Sequence, residues 1–124
     1  MGLLSRDDLL KPEVLKKVKV VLSRDQFVYV RQMTGHEREN FERSILKVTT
    51  SESGRVSQES SLEDFRAKLA VCTMCDEEGK LLMKPMDYDT LSRSMSADKL
   101  MKIAEVAATV NAISEKEKKE MVKN

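Results

Sequence analysis

The sequence predicts an α+β fold that is predominantly α-helical, with an N-terminal β-hairpin packed on a small bundle of about four helices. Three observations predict it. Of 124 residues, 35% are charged and only 4% aromatic, with no Trp, four Gly and two Pro, a composition that favours helices. One segment, Lys16 to Met33, alternates with period two. Most of the chain beyond Met33 places apolar residues at three- and four-residue steps behind Ser or Thr caps. A chain of 14.1 kDa buries roughly two-thirds of its unfolded surface, so a single domain over residues 1–124 with one core is expected.

The first element is a short helix from Ser5 to Leu10, with Ser5 as N-cap and Asp7 and Asp8 in the first turn, where the helix dipole favours carboxylates. Pro12 ends it. In the hairpin, Val18, Val20 and Leu22 alternate with Lys17, Lys19 and Val21, and Val28 and Val30 with Phe27, Tyr29 and Arg31, around a polar turn at Ser23 to Gln26. Thr34 and Glu37 have capping-box spacing and open a helix with Phe41, Ile45 and Val48 inside. Residues 49–61, TTSESGRVSQESS, read as a mobile loop. Ser61 caps the next helix, with Leu62, Phe65, Leu69 and Cys72 on one face, and Asp76 to Gly79 stops it. Lys80 to Met83 is a short strand or linker, and Asp87 to Arg93 one or two helical turns. Ser94 or Ser96 caps the strongest helix, whose stripe is Leu100, Ile103, Ala104, Ala107, Val110 and Ile113. Ser114 and Glu117 repeat the capping box, and the charged residues 118–124 read as a frayed tail.

Charge narrows the function classes. The 22 basic and 21 acidic side chains leave +1, spread evenly along the chain. Such a balance speaks against a nucleic-acid or anionic-membrane partner, both of which need a sustained positive field. No apolar run approaches the ~18 residues that span a bilayer, and the start MGLLSRDDLLKPE does not read as a signal peptide. Two cysteines suggest a reducing compartment.

Catalytic and metal motifs are sparse, and no enzyme activity, cofactor or metal is expected. Cys72-Thr73-Met74-Cys75 has redox or half-zinc spacing, yet only one His exists and no second Cys pair, so neutral thiols packed as small hydrophobes explain it better. His36-Glu37 lacks the second His of a zinc helix, that position being Asn40. Asp87 and Asp89 imitate the start of a calcium loop without its Gly and Glu. Lys16, Lys17, Lys19, Arg24 and Arg31 with Phe27 and Tyr29 make the hairpin locally basic and aromatic, as base-stacking sheets are. An ordinary solvated strand face accounts for the same residues.

Eight methionines allow two readings, filler for an aromatic-poor core or an adaptable surface for greasy partners. Met83, Met86, Met95 and Met101 crowd one stretch, and Met101 and Val106 border the stripe of the last helix. These five are the candidate partner-binding residues. An adaptable surface would expose several methionines in one patch.

The order V-Y-V-R-Q-M-T-G-H-E-R-E-N-F-E, then D-F-R-A-K-L-A-V-C-T-M-C-D-E-E-G-K-L-L, then L-M-K-I-A-E-V-A-A-T-V-N-A-I-S-E-K-E resembles the tail assembly chaperones of long-tailed phages and prophages over residues 28–119. The matching positions are Arg31, Thr34, Gly35, Glu37, Arg38, Phe41, Glu42, Asp76, Gly79, Lys80, Leu82, Asn111, Ile113, Ser114 and Glu115. The C-x-x-C is not part of that pattern. The resemblance implies a non-enzymatic assembly factor of the host bacterial cytoplasm that binds the tape measure protein while the tail tube assembles, and that is absent from the mature virion. It also implies self-association, and a longer form, made by ribosomal frameshifting, that recruits the tail tube protein. The alternative is a small phage-encoded nucleic-acid-binding accessory protein using Lys17, Lys19 and Arg31.

Overall fold

A computed structural model describes residues 2–45, 47–50, 56–59, 62–113 and 116. Its body is an antiparallel hairpin on a helical bundle, as the sequence predicts. Strands β1 (Lys17–Ser23) and β2 (Gln26–Arg31) pair with Val18 opposite Val30 and Val20 opposite Val28, closed by a two-residue turn at Arg24 and Asp25. Val20 and Val30 are buried and Val18, Leu22 and Val28 half-buried, while Lys17, Lys19, Val21 and Phe27 face outward. Period two therefore decides which face meets the bundle.

The bundle comprises α2 (Gly35–Ile45), α3 (Leu62–Thr73), α4 (Tyr88–Ser94) and α5 (Ala97–Val110), with a 3-10 turn at Pro85–Asp87 leading into α4. Helix α3 is central, packing against α2, α4 and α5. A single apolar stripe is expected there, but Ala67, Lys68, Ala70, Val71 and Thr73 are buried along with Phe65 and Leu69. With neighbours on several sides the helix has little solvated face, and the small side chains of Ala67 and Ala70 let those neighbours approach. The buried Lys68 ammonium donates to the Ser44 carbonyl and lies 4.8 Å from the centre of the Tyr88 ring. Phe41 and Phe65 meet edge to face at 5.5 Å and tie α2 to α3.

Three local expectations are corrected. Helix α3 ends at Thr73, and Met74–Cys75 is a strand, β5, that pairs with Tyr29 and Val30 of β2. Ladder hydrogen bonds to the hairpin thus replace the last helical turn. Within the expected loop 49–61 and just before it, residues 47–50 and 56–59 pair as an antiparallel ladder, β3 (Lys47–Thr50) with β4 (Val56–Glu59). Backbone pairing outweighs a polar composition there, and Val48 belongs to that ladder rather than to α2. Ile113 is buried beyond the end of α5, not in its stripe. The Ser61 cap, the Ser114 capping box and the tail 118–124 lie outside the described residues.

Three caps follow the sequence, two of them in the bundle. Thr34 Oγ1 accepts from the Glu37 N–H at 3.2 Å and Glu37 Oε1 from the Thr34 N–H at 2.9 Å. Ser96 Oγ accepts from the Lys99 N–H at the start of α5. The far end of α5 closes with Ile113 N–H donating to the Ala108 carbonyl at 2.8 Å and Ala112 N–H to that of Thr109 at 3.2 Å, with Ala112 at φ 54°. This is the two-bond C-terminal motif usually completed by glycine. N-terminal to the hairpin, α1 (Arg6–Leu10) is capped reciprocally by Ser5 and Asp8 but buries none of its residues.

Candidate partner-binding surface

Six of the residues that carry the resemblance, Arg31, Thr34, Glu37, Arg38, Glu42 and Asn111, meet at one junction among β2, α2 and α5. The Arg31 guanidinium donates from Nη1 to Glu37 Oε1 at 2.9 Å and from Nη2 to Oε2 at 2.8 Å, and Nη1 also reaches the Gln32 carbonyl at 2.7 Å. Asn111, capping α5, accepts from the Met33 N–H at 2.7 Å and donates to the carbonyls of Arg31 and Ala107. Arg38 donates to the Asn111 carbonyl at 3.0 Å and pairs with Glu42. Burial pushes the Glu37 carboxyl up, but its bonds from Arg31 and Thr34 outweigh this and hold it below its ordinary value. The Arg31 guanidinium is raised in turn, chiefly by hydrogen bonding to Glu37.

A second group of matching residues shapes one turn. Asp76 Oδ1 accepts the N–H groups of Glu78 and Lys80, the Asp76 N–H donates to the Lys80 carbonyl, and Gly79 takes φ 87°. That left-handed conformation is where glycine is at home. The bonds of these described residues hold strands, helices and a turn in place.

A hollow of about 300 Å³ lined by Gln32, Met33, Thr34, Arg38 and Asn111 opens at the junction itself, and two further hollows lie among the bundle helices. One, of about 350 Å³ between α2, α3 and the start of α4, is lined by Phe41, Val71, Pro85, Met86 and Tyr88, with Arg43 and Lys68 as its charged members. The other, of about 380 Å³ between α3 and α5, is lined by Phe65, Met101, Ala104 and Ile113, with Arg66 and Glu105. The five candidate residues are accordingly divided. Met86 is 76% exposed at the first hollow and Met101 37% exposed at the second. Met83, Met95 and Val106 are half-buried against the core. Met33 and Met74 are core filler. Other members of the first hollow, among them Arg43, Lys68 and Tyr88, come from three different helices, and no local spacing joins them.

The other motifs are absorbed locally. Asp87 Oδ2 accepts from the Lys84 N–H and Asp89 pairs with Arg93, while His36 sits 3.2 Å from the Asn40 amide. Cys72 lies in the last turn of α3 and Cys75 in a strand, so the pair shares no helical face. Burial pushes the Cys72 thiol up to about 11, with Glu37 adding to it, and raises Cys75 as well. On the outer hairpin face, Lys17 lies 5.1 Å from the Tyr29 ring centre and Lys19 4.2 Å from that of Phe27, so the chain's own cations cover the rings. Arg31, expected as a basic contact on that face, is 8% exposed and held by Glu37.

Among the described residues, no group of three or more His, Cys, Asp or Glu side chains is placed to hold a metal ion, and no helix is long and apolar enough to cross a membrane. No family model, no curated protein and no solved structure matches this chain.

Proposed function

We propose that this chain is a tail assembly chaperone of a long-tailed phage or prophage. It works without catalysis in the host bacterial cytoplasm, holds the tape measure protein during tube assembly and leaves before the virion is complete. The observation that carries the reading is the ordered set of matching residues, several of which are bonded to one another at the junction: Arg31 to Glu37 and Glu37 to Thr34 locally, and Arg38 to Asn111 across 73 residues. The binding face is the apolar hollow with Met86 at its mouth, where a flexible thioether beside Phe41 and Tyr88 adapts to the successive apolar anchors of an amphipathic helix. Repeated weak sites along a long helical client would then act together. A longer frameshifted form would bring the tail tube protein to the same complex.

Co-expression with a tape measure protein tests this. Co-purification and increased solubility of the client are expected, with Met86→Glu reducing both at unchanged stability. A client that stays insoluble and does not co-purify with the chain overturns the reading.

A further inference from the structure

The hollow between α3 and α5 has Phe65, Met101, Ala104, Ala108 and Ile113 as its apolar lining. Ile113 belongs to it because of how α5 ends. With Ala112 at φ 54° the chain leaves the helix axis, and the bond from the Ile113 N–H to the Ala108 carbonyl brings Ile113 back against the helix, where it is buried. The hollow therefore starts at the point where the chain beyond α5 sets out.

That remaining chain, residues 114–124, has the right form to fill it. Ser114 and Glu117 carry the capping-box spacing of a helix start, and Lys116 is helical and exposed. A helix this short does not hold in water alone, so it needs a surface to pack on. The first apolar residues after Ile113 are Met121 and Val122. Met121 lies eight residues beyond Ile113, about 12 Å along a helix. Thr109 and Met101, at the two ends of the hollow, are also eight residues apart on α5, so the hollow is about 12 Å long as well. A helix doubling back from Ile113 along α5 thus sets Met121 level with Met101. Charge does not oppose this: residues 115–120 read E-K-E-K-K-E, without net charge, and the charged lining residues of the hollow are one cation and one anion, Arg66 and Glu105.

We infer that residues 114–122 form a helical strap that doubles back along α5 and seats Met121 and Val122 in the hollow beside Phe65, Met101 and Ala104. Attachment at Ile113 makes the contact intramolecular, so a small apolar pair suffices to close it. The two methionine hollows are then unequal: the chain closes one on itself and leaves the Met86 hollow open to a partner. The inference stands on the α3–α5 hollow alone and holds or fails independently of the proposed function.

Hydrogen exchange of the full chain, read by mass spectrometry on the fragment covering 114–124, tests it. Exchange at least about tenfold slower than in an unstructured chain is expected. The slowing should be the same at about 10 µM and about 0.5 mM protein, as a contact within one chain requires. Met101→Asp, at a position 37% exposed and therefore tolerant of a polar side chain, should return the fragment to the unstructured rate while the amides of α3 keep theirs. Met121→Asp/Val122→Asp should do the same from the other side of the contact. Unstructured exchange in the wild type overturns the inference, as does slowing that survives either variant. Slowing that grows with protein concentration overturns it too, because the strap then seats on a second copy.

Discussion

Arg31 and Glu37 face each other as fork to fork, with two parallel hydrogen bonds of 2.9 and 2.8 Å joining the last residue of β2 to the first turn of α2. The guanidinium is nearly buried and the carboxylate a quarter exposed. Glu37→Leu removes the partner and leaves a buried cation, which we expect to cost about 2 kcal/mol after allowance for the exposed side of the pair. Arg31→Met with Glu37→Leu should recover much of that loss. Urea unfolding of the two variants decides it, and a double variant weaker than the single would exclude this account.

Acid should loosen the same junction. Glu37 is held below its ordinary value of 4.5 in the folded chain, so its contribution is present above about that pH and lost as pH falls through the lower folded value. Unfolding midpoints measured downward from pH 6 should therefore drop more steeply below 4.5 in the wild type than in Glu37→Gln.

Ala112 holds a left-handed φ of 54° where α5 closes. Ala112→Gly relieves that strain and keeps both closing bonds, so a gain of about 0.5–1 kcal/mol is expected, seen as a higher thermal midpoint. A lower midpoint would mean that glycine's freedom in the unfolded chain outweighs the relief.

Asn111 is bonded at once to β2, to the segment before α2 and to its own helix. Asn111→Ala strands the Met33 N–H, and a loss of about 2 kcal/mol in urea unfolding is expected. Hydrogen exchange at Met33 should accelerate in the same variant.

Cys72 should be slow to alkylate at neutral pH. Its thiol is pushed up to about 11 from an ordinary 9.0, which reduces the thiolate fraction about 100-fold relative to the unfolded chain. Mass spectrometry of native and urea-unfolded protein with iodoacetamide measures the ratio. The sign for stability is fixed by the same shift: burial of the neutral thiol favours the fold below pH 9.0, and this contribution is lost as pH rises through about 11.

The hairpin and the major helices were legible because their signals are local. Val18, Val20, Val28 and Val30 reveal their face by alternation, and Thr34 with Glu37 announces its own cap. The β5 strand was not legible, since Met74 and Cys75 continue an apolar helical pattern and become strand only because β2 offers them a ladder. The same holds for 47–50 with 56–59, polar segments whose pairing has no alternating signature. Of the candidate surface, Met86 could be singled out from composition, but Phe41, Lys68 and Tyr88 join it from three helices.

By itself, then, the sequence determined the hairpin and the major helices, the balanced charge and the ordered residues of the resemblance, because periodicity, capping and composition act within a few residues of the chain. Only the tertiary structure decided that α3 is central, that Arg31 is a buried tie rather than a basic contact, and that of the described methionines Met33 and Met74 fill the core while Met86 and Met101 line two hollows. Those outcomes depend on which faces meet across long separations. Asn111 reaches Met33 over 78 residues, and no local pattern encodes that contact.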